Sequence, residues 1–170
     1  MANMAETVSR PEGFQRVSAA LEALAHPNRP LWLDVAARTA QEAADALGVT
    51  LGQIAKSVVF RRKADDAAVL VITSGDKRVD EAKLKPHTGP LGRADADFVK
   101  ARTGFSIGGV SPAGFAPADG APPPQLFIDG ELFRFDVIWA AAGHPNGVFQ
   151  LTPAELERIT GAPVIDVVQA

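Results

Sequence analysis

The sequence predicts a mixed α/β protein: a largely antiparallel mixed sheet or barrel surrounded by short helices. Three observations carry this expectation. Two apolar runs, KSVVFRRK (56–63) and AAVLVITSG (67–75), flank the turn ADD and read as a β-hairpin. TAQEAADALG (39–48) and TPAELERITG (152–161) have helix start and stop signals at both ends. Short strands alternate with short helices throughout, with no internal repeat and no evident domain boundary. At 170 residues, 46% apolar and 22% charged, the chain suits one domain (1–170) with a core of its own.

The elements follow in order. Phe14, Val17, Leu21 and Leu24 recur at helical spacing, which predicts an N-terminal helix over about 11–26, stopped by the prolines of HPNRP (26–30). LWLDVA (31–36) reads as a strand. Thr39 and Glu42 form a capping-box pair, and Gly48 ends that helix. After the hairpin, short helices are expected around DEAKLK (80–85) and DADFVKART (95–103), the second closed by Gly104. APADGAPPP (116–124) is too proline-rich for regular structure and reads as a surface loop. QLFID (125–129) reads as a strand; FDVIWAAAG (135–143) and GVFQL (147–151) read as a strand pair around HPN. Thr152 caps a helix with Pro153 at its first position, Glu155 at its third and Gly161 beyond its end. PVIDVV (163–168) closes the chain as a strand.

Composition removes several function classes. There is no Cys, hence no disulfide, thiolate metal site or Cys nucleophile. The opening MANMAETVSRPEG lacks an apolar core, and no stretch is long enough to span a bilayer, so a cytoplasmic protein without membrane contact is expected. The net charge of −3 hides an asymmetry. Residues 56–102 hold 11 Lys and Arg against 7 Asp and Glu; the remainder holds 6 against 13. The clusters RRK (61–63), DKR (76–78) and KLK (83–85) suit a polyanion on one side of the molecule, or equally the solvated edges of strands and helices.

The segment FSIGGVSPAGF (105–115) sets three glycines and a proline inside one apolar run. Either the chain bends sharply between packed elements there, or its backbone approaches something that is not protein. Lys56 opens an apolar strand, as a solvated strand-end residue or as a cation aimed into a pocket. His144, in the turn AGHPN, is a surface residue or a group titrating near neutrality. No two of the three His have metal-ligand spacing, and no cofactor is implied. Ser111, His144 and Asp129 make a triad only on paper, since no nucleophile elbow surrounds the serine. No Walker-type loop occurs, and the Gly-rich run lacks a dinucleotide context.

In order, the motifs TAQEAADALGV, QIAKSVVF, KLKPHTG, TGFSIGGVSPAGF, AGHPN and LTPAELERITGAPVIDV resemble the YbaK/ProX-type aminoacyl-tRNA deacylases. These share their fold with the editing domain inserted in bacterial prolyl-tRNA synthetases. The resemblance spans about 39–170. It implies that a G-x-x-x-P loop, here Gly108, Gly109, Val110, Ser111 and Pro112, lines the pocket for the aminoacyl ester. It implies catalytic roles for Gly108, for Lys56 near the substrate's terminal phosphate or ester and for His144 near the pocket, with Asp129 at a strand end among the substrate-binding residues. Some relatives carry a hydroxyl residue where this chain has Ala140, Ala141 and Ala142.

The implied activity is trans-editing: hydrolysis of tRNA mischarged with a small amino acid such as Ala, Cys, Ser, Thr or 2-aminobutyrate, with tRNA(Pro) the expected carrier. Bound water would attack the ester while backbone groups of the loop stabilise the oxyanion. No nucleophile, metal or cofactor is required. The expected partners are mischarged aminoacyl-tRNA and an aminoacyl-tRNA synthetase; oligomeric state is not implied. Two other readings remain, a non-catalytic RNA- or nucleotide-binding module and a small-molecule-binding protein of the same fold. Aromatic residues are only 6%, which leaves little for a base-stacking ladder.

Overall fold

The computed structural model describes residues 9–170. Most of the opening segment read above for a leader, residues 1–8, lies outside the described residues. Among the described residues no helix is long and apolar enough to cross a membrane.

Helix boundaries follow local chemistry. Helix α1 (Glu12–Ala23) buries Val17 and Leu21. It stops short of residue 26 because Ala25 takes a left-handed φ of +56°. Helix α2 (Ala40–Leu47) has the complete Thr39–Glu42 capping box and ends at Gly48 in the left-handed conformation. Helices α3 (Glu81–Thr88) and α4 (Ala96–Thr103) are capped by Asp80 and Asp95, whose carboxylates accept from backbone N–H groups of the first turn. Helix α5 (Pro153–Thr160) has the Thr152–Glu155 box, Pro153 inside its start and Gly161 after its end.

Eight strands form one mixed sheet: β1 (Leu31–Trp32), β2 (Ile54–Arg62), β3 (Ala68–Ser74), β4 (Leu91–Arg93), β5 (Gln125–Asp129), β6 (Ile138–Ala141), β7 (Gly147–Leu151) and β8 (Val164–Ile165). The order is β1-β7-β6-β2-β3-β5-β8, and β4 also pairs with β2. The hairpin β2–β3 and the pair β6–β7 are antiparallel as their sequences suggest. So are β1–β7 and β2–β4, whereas β2–β6, β3–β5 and β5–β8 are parallel. Strand β3 is buried at every position and forms the spine of the core. On one face Leu70 and Ile72 pack with Val17, Phe105, Phe149 and Leu156. On the other face Val69 and Val71 pack with Leu84 and Phe127.

Three strands are shorter than the sequence suggests. The run 31–36 pairs only at Leu31 and Trp32, because Leu33 and Ala37 donate instead to the carbonyls of Asn146 and Pro145 in the β6–β7 turn. The run 135–143 is a strand only over Ile138–Ala141, since a 3₁₀ turn at Gly130–Arg134 precedes it. The run 163–168 pairs with β5 only at Val164 and Ile165; Val168 then makes an isolated bridge to Val79. The Pro-rich run is a loop but holds one 3₁₀ turn, Ala118–Gly120. Strand β4 has no strand signal in the sequence: three residues are too few to show a period of two.

Candidate active site

Strand β2 is central, yet one of its sides is shared by two partners. Strand β6 covers Ile54 and Ala55, and β4 covers Phe60, Arg61 and Arg62. Between them Lys56–Val59 has no strand partner on that side among the described residues. A cavity of about 310 Å³ opens at this gap. Strand β2 contributes Lys56, Ser57 and Val59 to its wall, the segment entering α2 contributes Arg38 and Thr39, and β6 contributes Trp139 and Ala140. Ile107, Gly108 and Val110 of the Gly-rich loop complete it.

Of the alternatives for Lys56, the structure selects the pocket. Its side chain makes no ion pair and no side-chain hydrogen bond among the described residues. Burial holds its ammonium below the ordinary value of 10.5; the Arg78 charge pushes the same way and Asp76 opposes both. Ser57 lies on the opposite face of the strand, as alternation requires, but at the gap that face is also cavity wall. Its hydroxyl oxygen is buried without a hydrogen-bond partner.

The Gly-rich loop divides its work residue by residue. Gly108 has φ +91° and lines the cavity, where an added methyl group would lie 3.5 Å from Arg38 Cα. Gly109 faces away: a methyl group there would meet the His144 N and Cα at 2.8 Å. The close approach that its glycine permits is thus to protein, not to substrate. The Gly109 N–H donates to the Ser106 carbonyl at 3.0 Å, which withdraws it from any oxyanion role. The amides of Gly108 and Val110 make no hydrogen bond among the described residues. Ser111 is fully buried and its Oγ accepts from the Ala113 N–H at 3.2 Å. Pro112 lines a separate groove with Leu126 and Ile159. Only Gly108 and Val110 of the five loop residues named from the sequence therefore face the cavity.

Two other sequence-derived residues stand elsewhere. Asp129 is fully buried; its carboxylate accepts from the Glu131 N–H and the Val167 N–H, each at 2.9 Å. Its role in this structure is to tie β5 to the C-terminal segment, and no triad with Ser111 and His144 exists. His144 sits behind Gly109, stacked on Trp32 with ring centroids 4.9 Å apart. Its Nδ1 accepts from the Asn146 N–H at 3.1 Å, which leaves Nε2 to carry the proton of the neutral ring. Burial and, secondarily, the Arg38 charge hold its pKa below the ordinary 6.5. Among the described residues no three His, Asp or Glu side chains converge as metal ligands.

The basic clusters are partly neutralised. Arg61 pairs with Asp66 at 2.6 Å and Arg62 with Asp65 at 2.8 Å, both inside the β2–β3 hairpin turn. Lys83 pairs with Asp166 at 3.1 Å. Sequence reasoning missed Arg38, Trp139 and the open side of β2. Arg38 adjoins a legible capping box, but nothing in the chain announces a gap between β6 and β4.

Residues 34–159 match the family model of the aminoacyl-tRNA editing domain. The chain belongs to the aminoacyl-tRNA editing domain family. Within it, the chain is 35% identical over 136 residues to the uncharacterized protein YwhH of Bacillus subtilis, covering 79% of this chain and 83% of YwhH. It is 32% identical over 114 residues to the proline–tRNA ligase of Desulfotalea psychrophila, covering 67% of this chain but only 18% of the ligase. A solved structure described as a candidate trans-editing enzyme for prolyl-tRNA synthetase is 37% identical with a TM-score of 0.84, covering 95% of this chain and all of that one. The structure of hypothetical protein APE2540 is 30% identical with a TM-score of 0.79, covering 91% and 99% respectively. The editing-domain fold that the motifs imply is the fold found.

Proposed function

We propose that this editing-domain protein hydrolyses mischarged aminoacyl-tRNA in trans, releasing a small amino acid (Ala, Cys, Ser, Thr or 2-aminobutyrate) from tRNA(Pro) after a synthetase has let its product go. One observation supports this above the rest: the cavity wall brings the half-buried Lys56 ammonium together with the backbone of Gly108 and Val110, none of them paired among the described residues. A cation and fixed backbone donors are what a developing oxyanion requires, and neither needs to reorganise during reaction.

In this reading water adds to the ester carbonyl and the charge that builds on its oxygen is held by the amide donors. Collapse of the tetrahedral intermediate breaks the bond to the ribose oxygen, which leaves with the proton supplied by water. Lys56 draws the terminal nucleotide's phosphate or the ester towards the wall. The small residues Ala37, Ala43, Ala94 and Ala140 keep that wall close to its backbone, in keeping with a small amino acid. Editing of this kind answers the limited discrimination of synthetase pockets, about 1–3 kcal/mol per missing methylene.

The test is a panel of tRNA(Pro) charged with each of these amino acids and with proline. Release of at least one small amino acid, with prolyl-tRNA spared, is the expected result. Tight tRNA binding without release from any member would replace the reading with a non-catalytic RNA-binding module.

A further inference from the structure

The unpaired side of β2 is more than a gap between strands. Along a strand, the N–H and C=O of successive residues point to alternate sides. The Arg62 N–H donates to the Ala67 carbonyl, on the β3 side, and the Lys63 N–H donates to the Pro90 carbonyl, on the β4 side. Counting back by twos, the N–H and C=O of Ser57 and Val59 face the side where β6 has ended and β4 has not begun. Buried backbone groups seldom go without partners, so a segment of this kind in a cavity wall is a template for one. Every residue from Lys56 to Val59 is partly exposed, while the neighbouring β3 is buried at all seven positions.

We propose that this open edge docks the aminoacyl group of the substrate as a one-residue antiparallel strand opposite Ser57. The inference rests on the editing reading above and goes beyond it by placing the amino acid. An aminoacyl ester has the same N–Cα–C=O spacing as a chain residue. In a hydrogen-bonded antiparallel pair, two facing residues exchange both of their backbone bonds. The α-amino group donates to the Ser57 carbonyl, and the ester carbonyl accepts from the Ser57 N–H. Among the described residues no carboxylate lines the cavity, so main-chain oxygens and hydroxyls are the acceptors they offer an amino group there.

This pairing also fixes where the side chain goes. Residues facing one another across an antiparallel pair project to the same face. Ser57 pairs with Ile72 of β3 on its other side, so it shares the face on which Ile72 packs into the core. At the gap that face is walled by Val59, Val99, Val110 and Ala140. An L-amino acid therefore points its side chain into a small apolar chamber beside the unpartnered Ser57 hydroxyl. A D-amino acid held by the same two bonds points towards Trp139 and Lys56 on the other face. Ser57 becomes the residue that gauges side-chain size, since facing Cβ atoms lie only about 5 Å apart.

The test uses non-hydrolysable 3′-deoxyadenosine bearing alanine in amide linkage at a 3′-amino group, with binding read by calorimetry or NMR. The L-alanyl compound should bind about fourfold tighter than its D epimer, the worth of burying one methyl group in the apolar chamber. Acetylation of its amino group should abolish the preference. Ser57→Val should lower affinity for the 2-aminobutyryl analogue more than for the alanyl one, and Ser57→Thr, which adds the same bulk while keeping the hydroxyl, should do likewise. Equal binding of the two epimers, or a size preference unmoved by both variants, overturns the proposal. Binding does not depend on turnover, so an inactive protein that still prefers the L epimer would sink the deacylase reading and leave the docking edge standing. An active protein blind to the epimers would do the reverse.

Discussion

Gly109 and His144 lie backbone against backbone: a methyl group on Gly109 would come within 2.8 Å of His144 N and Cα. This contact couples the Gly-rich loop to the β6–β7 turn. Backbone atoms cannot swing aside as a flexible side chain does, so either the loop or the turn must move if the glycine is lost. The adjacent Gly108 is constrained differently, by its φ of +91°, and an added methyl group would meet only ordinary contacts with Arg38.

Gly109→Ala should therefore cost about 3 kcal/mol, the upper end for overpacking. Gly108→Ala should cost about 1–2 kcal/mol, the penalty of a left-handed conformation for a residue with a Cβ. Urea denaturation of both variants gives the ranking directly. Gly108→Ala, where it remains folded, should lose about 10²–10³ in deacylation rate, as expected for the loss of one oxyanion donor.

Lys56→Met should separate stability from activity. Folding disfavours the charged ammonium because burial lowers its pKa from 10.5. Below the lowered folded value both folded and unfolded chains carry this proton, so the buried charge is a constant cost there. Stability is regained only as pH rises through the lowered folded value towards 10.5. The variant should match or exceed the wild-type Tm at pH 7 and should show less gain in alkali. Deacylation should fall by about 10²-fold or more. A lower Tm with normal activity per folded molecule would make Lys56 a structural residue.

His144 predicts a window on the acid side. The folded state holds its pKa below 6.5, through burial first and the Arg38 charge second, so the unfolded chain takes up this proton first. Its contribution is complete above 6.5, declines as pH falls from there to the folded value, and is flat below. His144→Gln should lack that part of the pH dependence when Tm is followed from pH 7.5 to 5. Arg38→Gln should raise the His144 pKa in an NMR titration, and an unchanged titration would remove Arg38 from the account.

Phosphate binding should not be shared evenly among the basic residues. Arg61 and Arg62 are engaged by Asp66 and Asp65, whereas Lys63 and Arg93 have no ion pair among the described residues. Lys63→Glu and Arg93→Glu should each weaken tRNA affinity and reduce the slope of log affinity against log salt by about one. Arg62→Glu should chiefly disturb the hairpin turn. Equal losses from all of these reversals would show that the turn aspartates give up their partners to RNA.

By itself the sequence determined what neighbouring residues can settle among themselves. Thr39 with Glu42, Thr152 with Glu155, and Asp95 with Gly104 set helix ends, because each cap closes over three or four residues or marks the last turn. The β2–β3 hairpin was legible for the same reason, with its two runs joined by a three-residue turn. The ordered motifs also pointed to the editing family and to Lys56. Only the tertiary structure decided the parallel pairs β2–β6 and β3–β5, whose partners are brought together from more than 50 residues apart. It alone ended the β6 pairing of β2 at Ala55 and began the β4 pairing at Phe60, opening the side of β2 that forms the cavity. Asp129 looked functional because it ended a strand, yet the Glu131 amide two residues on and the distant Val167 amide of the C-terminal segment consume its carboxylate. Caps and turns are properties of a short chain segment, whereas an unpaired edge is a property of what two other segments, distant in the chain, fail to cover.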